Sequence, residues 1–227
     1  MKKSFLFYLF IVPVILMLLF YSCSKECPSC PACPSEKQVF SQTFRNGVSP
    51  SSGYTGVDDT CVYQGTSTTA YGTTGYIIVG FQDLNKVWYG MLRFDLTSIP
   101  QQAKITKVYL FLNAGGISGA SVSLEFYTLR NYNWAKNTLT YNDWILYVGY
   151  GSLLASTTIT TSTPAQMSIE LNNSAFQDLV SKPSENFGIF IKSTVSSGPS
   201  DTYVLFRSSE YTITNATPSL TIYYTLD

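Results

Sequence analysis

From residue 40 onward one pattern recurs and leaves few folds open: short runs of alternating apolar and polar residues, separated by clusters of Gly, Pro, Asn and Ser. Successive side chains on a strand point to opposite faces, so period-two alternation marks a strand with one buried face. Residues 121–127 show it most cleanly, with Val122, Leu124 and Phe126 on one side. Residues 166–171 place Met167, Ile169 and Leu171 together, and residues 219–226 do so with Leu220, Ile222, Tyr224 and Leu226. The runs 76–80, 108–112 and 187–191 are apolar on both faces, as central or loop-covered strands are. The one helical pattern is 173–182, which gathers Phe176, Leu179 and Val180 and stops before Pro183. Many short strands, one short helix and no βαβ rhythm predict an all-β fold, an antiparallel two-sheet β-sandwich, with a closed barrel as the alternative. The 227-residue length suits one such domain, over residues 40–227.

The N-terminus reads as an address. Lys2 and Lys3 precede an uncharged apolar run over residues 5–20, the charged and hydrophobic regions of an export signal or, in the alternative, an uncleaved anchor helix; this segment is taken as residues 1–22. Ser22-Cys23 is similar to a lipoprotein signal, in which Cys23 is acylated and becomes the new N-terminus. The expectation is an extracellular or cell-surface protein, membrane-anchored through its N-terminus by a lipid or a helix. Residues 23–39 read as a Cys/Pro-rich tether. Its Cys27, Cys30 and Cys33 have the spacing of an iron–sulfur ligand run, whereas an exported chain would use them in disulfides, with connectivity open. Cys61, in a strand pattern, reads as an unpaired buried thiol.

Charge excludes more than it suggests. Charged residues are 12% of the chain and balance at 14 against 14, so no basic face points to nucleic acid. The chain has no histidine, which removes His-dependent triads and His-ligated metal centres. The most unusual charged residues lie in the stretch 88–100, where Leu92, Phe94 and Leu96 alternate with Arg93 and Asp95 before Ile99-Pro100 ends the strand. Arg93 and Asp95 fall on one face, and Glu210 is the second acceptor expected for Arg93. A charge facing an interior persists only when paired, so Arg93, Asp95 and Glu210 are assigned a structural ion-pair network rather than catalysis. Asp58, Asp59 and Asp83 come nearest to a carboxylate cluster for structural calcium, with solvated turns as the alternative; no other cofactor is expected.

Several pieces in order resemble a known family. Residues 58–63 look like its opening strand, Ala70-Tyr71-Gly72 and Ile77-Ile78-Val79-Gly80 like its Asn-Tyr-Gly turn and next strand, and residues 92–100 like its Arg-Phe-Asp-Leu-Ser-x-Ile-Pro signature. Trp134 with Thr140-Tyr141-Asn142, the turn Asn186-Phe187-Gly188, and Phe206-Arg-Ser-Ser-Glu210 with residues 218–223 complete the order, with Tyr141 in place of Trp. Over residues 55–227 the chain resembles the DNRLRE domain, also classed as carbohydrate-binding module family 96. The resemblance implies an extracellular, jelly-roll-like sandwich that is no enzyme and binds glycan, with a polysaccharide or cell-envelope glycan as partner. Glycan binding needs flat rings beside a few polar groups. Trp88, Tyr89, Trp134, Tyr141, Trp144 and Tyr147 are the candidates, with Tyr150 nearby and Asn131, Asn133, Asn142 and Asp143 supplying polar groups. The alternative is a structural or adhesive surface protein that self-assembles through its sandwich and its Cys/Pro tether.

Overall fold

The computed structural model describes residues 37–83, 86–163, 165–198 and 200–226. The expected signal or anchor segment, Cys23 and the tether cysteines lie outside them. The described residues form eleven strands: β1 (Val39–Phe44), β2 (Val57–Tyr63), β3 (Tyr76–Gln82), β4 (Lys86–Phe94), β5 (Lys104–Ser118), β6 (Ser121–Arg130), β7 (Gly149–Thr160), β8 (Gln166–Leu171), β9 (Ile189–Ser193), β10 (Thr202–Arg207) and β11 (Ser219–Thr225). Two α-helices accompany them, α1 (Tyr141–Tyr147) and α2 (Asn173–Ser181). The fold is thus mostly β, as the alternation predicted, with one helix more than expected.

Every strand pairing is antiparallel, and the main path runs β1-β11-β5-β10-β3-β4-β9-β6-β7. β5 makes the sheet curl. Its first half pairs with β11 and β8, while its second half pairs with β10, so one fifteen-residue strand belongs to both regions. β4 is the second junction, with β2 along one side and β3, then β9, along the other.

Side chains from the whole path meet in one apolar cluster that includes Phe44, Leu92, Leu110, Phe126, Ile191 and Phe206. The alternation read from residues 121–127 and 166–171 holds: Val122, Leu124, Phe126, Met167, Ile169 and Leu171 are all buried. β11 departs at its end. Its register against β5 shifts between Tyr223 and Tyr224, so Thr225 is buried while Leu226 is exposed. α2 buries Phe176, Leu179 and Val180 as expected and is capped by Asn172, whose side chain accepts the Ala175 N–H at 3.1 Å.

A second, smaller cluster lies on the opposite face of β2, β4, β6 and β9. There Val62, Met91, Leu129 and Phe190 are covered by Trp134, Leu139 and Trp144 from the segment between β6 and β7. α1 is part of that cover. Thr140 and Asp143 form a capping box, each side chain bonded to the other's backbone N–H, and Trp144 faces inward.

Candidate functional site

The cover leaves part of the outer face open, and the strand register decides which side chains stand there. Glu125 of β6 lies opposite Lys192 of β9, Tyr127 lies opposite Phe190, and Phe190 lies opposite Met91 of β4. Tyr89, two residues before Met91, therefore shares this face. Tyr150 of β7 lies opposite Leu129 at the far side.

These residues form a connected aromatic surface. Phe190 is its buried centre, stacked against Trp144 at 4.3 Å and Tyr150 at 5.3 Å between ring centroids, with the Tyr89 ring edge-on at 5.3 Å. Tyr89 stacks on Tyr141 at 6.3 Å, and Tyr132 stacks on Tyr147 at 5.7 Å. Tyr150 and Tyr147 are 48% and 57% exposed, while Tyr89, Tyr127, Tyr132 and Tyr141 are half-buried.

One polar pair is set into these rings. Lys192 Nζ lies 3.2 Å from Glu125 Oε2, and the Tyr127 hydroxyl donates to the same oxygen at 2.9 Å. The ammonium sits 5.3 Å from the Tyr127 ring centroid and 5.5 Å from that of Tyr150. The hydrogen bond from Tyr127 is the main cause that holds the Glu125 carboxyl below its ordinary pKa; burial opposes it and Lys192 assists. Burial pulls the Lys192 ammonium down, but the bond to Glu125 and the fields of Tyr127, Tyr150 and Glu125 outweigh it and raise its pKa. Burial raises the Tyr89 and Tyr127 phenols, so both stay protonated donors at neutral pH. A cavity of about 190 Å³ adjoins the pair, lined by Tyr89, Lys192, Ser193, Thr194 and Ser196 among others. Rings and hydroxyl-bonding groups on one rigid sheet suit a flat ligand with an apolar face and a polar rim.

The candidate rings divide sharply. Trp88 is 5% exposed, stacks on Tyr63 at 4.2 Å and donates its indole N–H to Gln82 Oε1 at 3.0 Å. Trp134 is 1% exposed and donates to the Phe187 carbonyl at 2.7 Å; Trp144 is 7% exposed and stacks over Phe190. Burial therefore withdraws all three tryptophans as stacking platforms. Trp88 falls on the inner side of β4, and Trp134 and Trp144 turn in to cover the second cluster. Tyr89, Tyr141 and Tyr147 keep accessible surface. Glu125, Tyr127, Phe190 and Lys192 were missed. The outward parity of Glu125 and Tyr127 on the clearest strand was a usable signal, whereas their pairing with β9 joins residues more than sixty apart.

The expected Arg93–Asp95–Glu210 network gives way to different partners. Arg93 lies opposite Asp58 in the β2–β4 register; its Nη2 donates to Asp58 Oδ2 at 2.8 Å and its Nη1 to Asn133 Oδ1 at 2.7 Å, with the guanidinium 4.9 Å from the Trp134 ring centroid. Asp95 lies past the end of β4 and turns to accept the Thr97 N–H at 3.0 Å. Glu210 pairs with Lys136. A cross-strand neighbour is closer than one two residues along the same strand, which is why Asp58 takes the place of Asp95.

The three aspartates considered for calcium go separate ways. Asp58 holds Arg93, Asp59 is buried and accepts the Ser209 N–H at 2.6 Å, and Asp83 accepts the Tyr63 hydroxyl at 2.6 Å. Among the described residues no three His, Cys, Asp or Glu side chains gather as a metal would need. Cys61 is free and buried, its thiol pushed up to about 12 by burial.

Larger grooves lie elsewhere among the described residues. One of about 600 Å³ is lined by Thr106, Lys107, Glu170 and Asn173 and has no aromatic side chain. Another, of about 470 Å³, includes Arg130, Asn131, Asp178, Lys182 and Glu185, with Phe187 as its one aromatic residue. A third, of about 380 Å³, runs beside Asp58, Arg93 and Asn133, where Phe94 is buried. All three are larger than the cavity at Lys192, but none offers a set of accessible rings. The sequence profile of carbohydrate-binding module family 96 matches residues 50–224. No curated protein matches the chain significantly.

Proposed function

The chain belongs to carbohydrate-binding module family 96, and from that premise we propose that it is a non-catalytic polysaccharide-binding module displayed at the cell surface, taking its glycan on the face of Tyr89, Tyr127, Tyr141 and Tyr150. The observation that carries this reading is the set of accessible tyrosines around the Lys192–Glu125 pair. Pyranose rings present C–H faces that stack on aromatic side chains, and their hydroxyls need donors and acceptors at the rim. A face built on hydrogen-bonded strands is ordered before ligand arrives, so little entropy is lost on binding. In this reading the curled sheet is a jelly-roll-like sandwich, and the segment 1–22 with Cys23 delivers it outside the cell and holds it to the membrane.

Affinity electrophoresis of the chain against a panel of neutral and acidic polysaccharides tests the reading. At least one polysaccharide should retard it, and Tyr150→Ala should weaken that binding about tenfold, the loss of one stacking ring, with the far-ultraviolet dichroism of the folded chain retained. Retardation by no polysaccharide, or full binding by both Tyr89→Ala and Tyr150→Ala, would overturn it.

A second reading, self-assembly, is favoured by one observation. Ile145, Leu146 and Leu153 are exposed, and no charged residue lies between Asp143 and Glu170. Ordered oligomers in sedimentation together with no glycan bound would replace the first reading with this one.

A further inference from the structure

The outer side of β1, β11, β5 and β8 carries rings and hydroxyls of its own. Tyr109 and Phe111 alternate along β5 with the buried Val108, Leu110 and Leu112, so they point away from the core. Tyr109 lies opposite Thr221 of β11 on one side and Glu170 of β8 on the other, and Tyr223 lies opposite Lys107. The two tyrosine rings stand perpendicular, 6.1 Å apart between centroids, and both are half-buried. Thr43 of β1 extends the row, its hydroxyl 2.9 Å from that of Thr221. The groove of about 600 Å³ has no ring of its own, but it is continuous with this face through Lys107 and Glu170, which line it. Both are exposed, and among the described residues neither has an ion-pair partner. Across the groove Asn173 is held in place by donating to the Thr106 carbonyl at 3.0 Å.

Resting on the glycan-binding reading above, we infer that this groove and the Tyr109–Tyr223 pair form a second glycan-binding site, and that the domain bridges two polysaccharide chains. A pyranose C–H face rests on Tyr109 or Tyr223, while its hydroxyls donate to the Glu170 carboxylate and accept from the Lys107 ammonium. The groove falls within the size range of ligand sites, about 300–1,000 Å³. Its one large apolar lining residue, Leu171, is buried, so it offers hydroxyl, amide and charged groups to a sugar and no slot for a peptide side chain. Leu110 of β5 meets Phe126 of β6 and Ile191 of β9 in one core cluster, so the outward side chains of β5 and those of β6 and β9 face away from one another. One short stretch of glycan therefore cannot lie on both faces. Two sites on one rigid domain give each copy two valences, which adds avidity and ties chains into a network.

Bridging has a signature that one-sided binding lacks. The full chain is added in rising amounts to hydroxyethyl cellulose, dextran, polygalacturonan and alginate, and each mixture is followed by light scattering and by affinity electrophoresis. With a polysaccharide that retards the chain, scattering should rise about fivefold, peak at an intermediate ratio and fall at excess protein, because separate copies then occupy each polymer and links are lost. Tyr109→Ala with Tyr223→Ala should still be retarded, through the Tyr89 and Tyr150 face, but should lose the peak. Lys107→Ala with Glu170→Ala trims two exposed side chains and should lose it as well, which keeps the test in force if the tyrosine variant does not fold. Scattering without a peak in the wild-type chain, or a peak unchanged in the folded variants, overturns the inference and leaves the glycan-binding reading standing. If no polysaccharide of this set or of the wider panel retards the wild-type chain, the reading itself falls and the inference with it.

Discussion

Asp59 shows at the scale of one residue how a motif position can be a fastener. It faces inward from β2, is fully buried and accepts the Ser209 N–H at 2.6 Å. Its neighbours in the same corner are motif residues as well. Ser208 donates to the Thr74 carbonyl at 2.7 Å, Glu210 pairs with Lys136, and a side chain at Gly72 would run into the Lys136 carbonyl. Burial pushes the Asp59 carboxyl up from 3.8 to about 6, against the lowering effect of the Ser209 bonds and Lys136. A raised carboxyl pKa means that the native state holds its proton where the unfolded chain has lost it. Asp59 therefore costs stability progressively as pH rises from about 4 to about 6, by an amount on the order of 3 kcal/mol for a shift of roughly two units. Asp59→Asn keeps the acceptor and removes the charge. Its denaturation free energy minus that of the wild type should grow across this window and level off above it. A difference that stays constant from pH 4 to pH 7 would show that the carboxyl titrates normally.

Among the elements, α1 is the one that the periodicity hid. Seven residues are too few for a convincing apolar stripe, yet Thr140 and Asp143 carry the start signal three residues apart, and the Val148 N–H closes the end on the Trp144 carbonyl at 3.1 Å. Thr140→Ala should cost about 1 kcal/mol and speed amide exchange at Trp144 and Val148 while leaving β5 protected. Equal loss of protection in both would mean that α1 is not a local unit. Strand parity was legible where the ladder is regular, as in β6 and β8. It failed at the end of β11, where a register shift changes the face. Gly188 marks another point that only pairing explains. Its φ of +100° and the Leu92 carbonyl, 2.5 Å from where a Cβ would stand, admit no side chain, and this fits the turn of the Asn186-Phe187-Gly188 motif against β4.

For the molecule as a whole, β5 carries the argument, because a strand shared by both regions of a curled sheet ties them into one core. The domain of residues 37–226 should unfold as one cooperative step. Tryptophan fluorescence, which reports Trp88 in the main cluster and Trp134 and Trp144 in the second, should melt together with far-ultraviolet dichroism. Separate transitions would mean that the second cluster opens by itself. Alternation, turn residues and proline placement were enough to establish an antiparallel β fold with α2, because those signals are local and each strand carries its own period. The ordered motifs were enough to establish the family. What sequence could not decide was which rings remain accessible and which carboxylate meets Arg93. Those depend on register between strands far apart in the chain, and a register step of one residue exchanges the buried face for the exposed one. Tertiary structure therefore turned Trp88, Trp134 and Trp144 into core and moved the candidate site to the tyrosines, Glu125 and Lys192 that the curled sheet brings side by side.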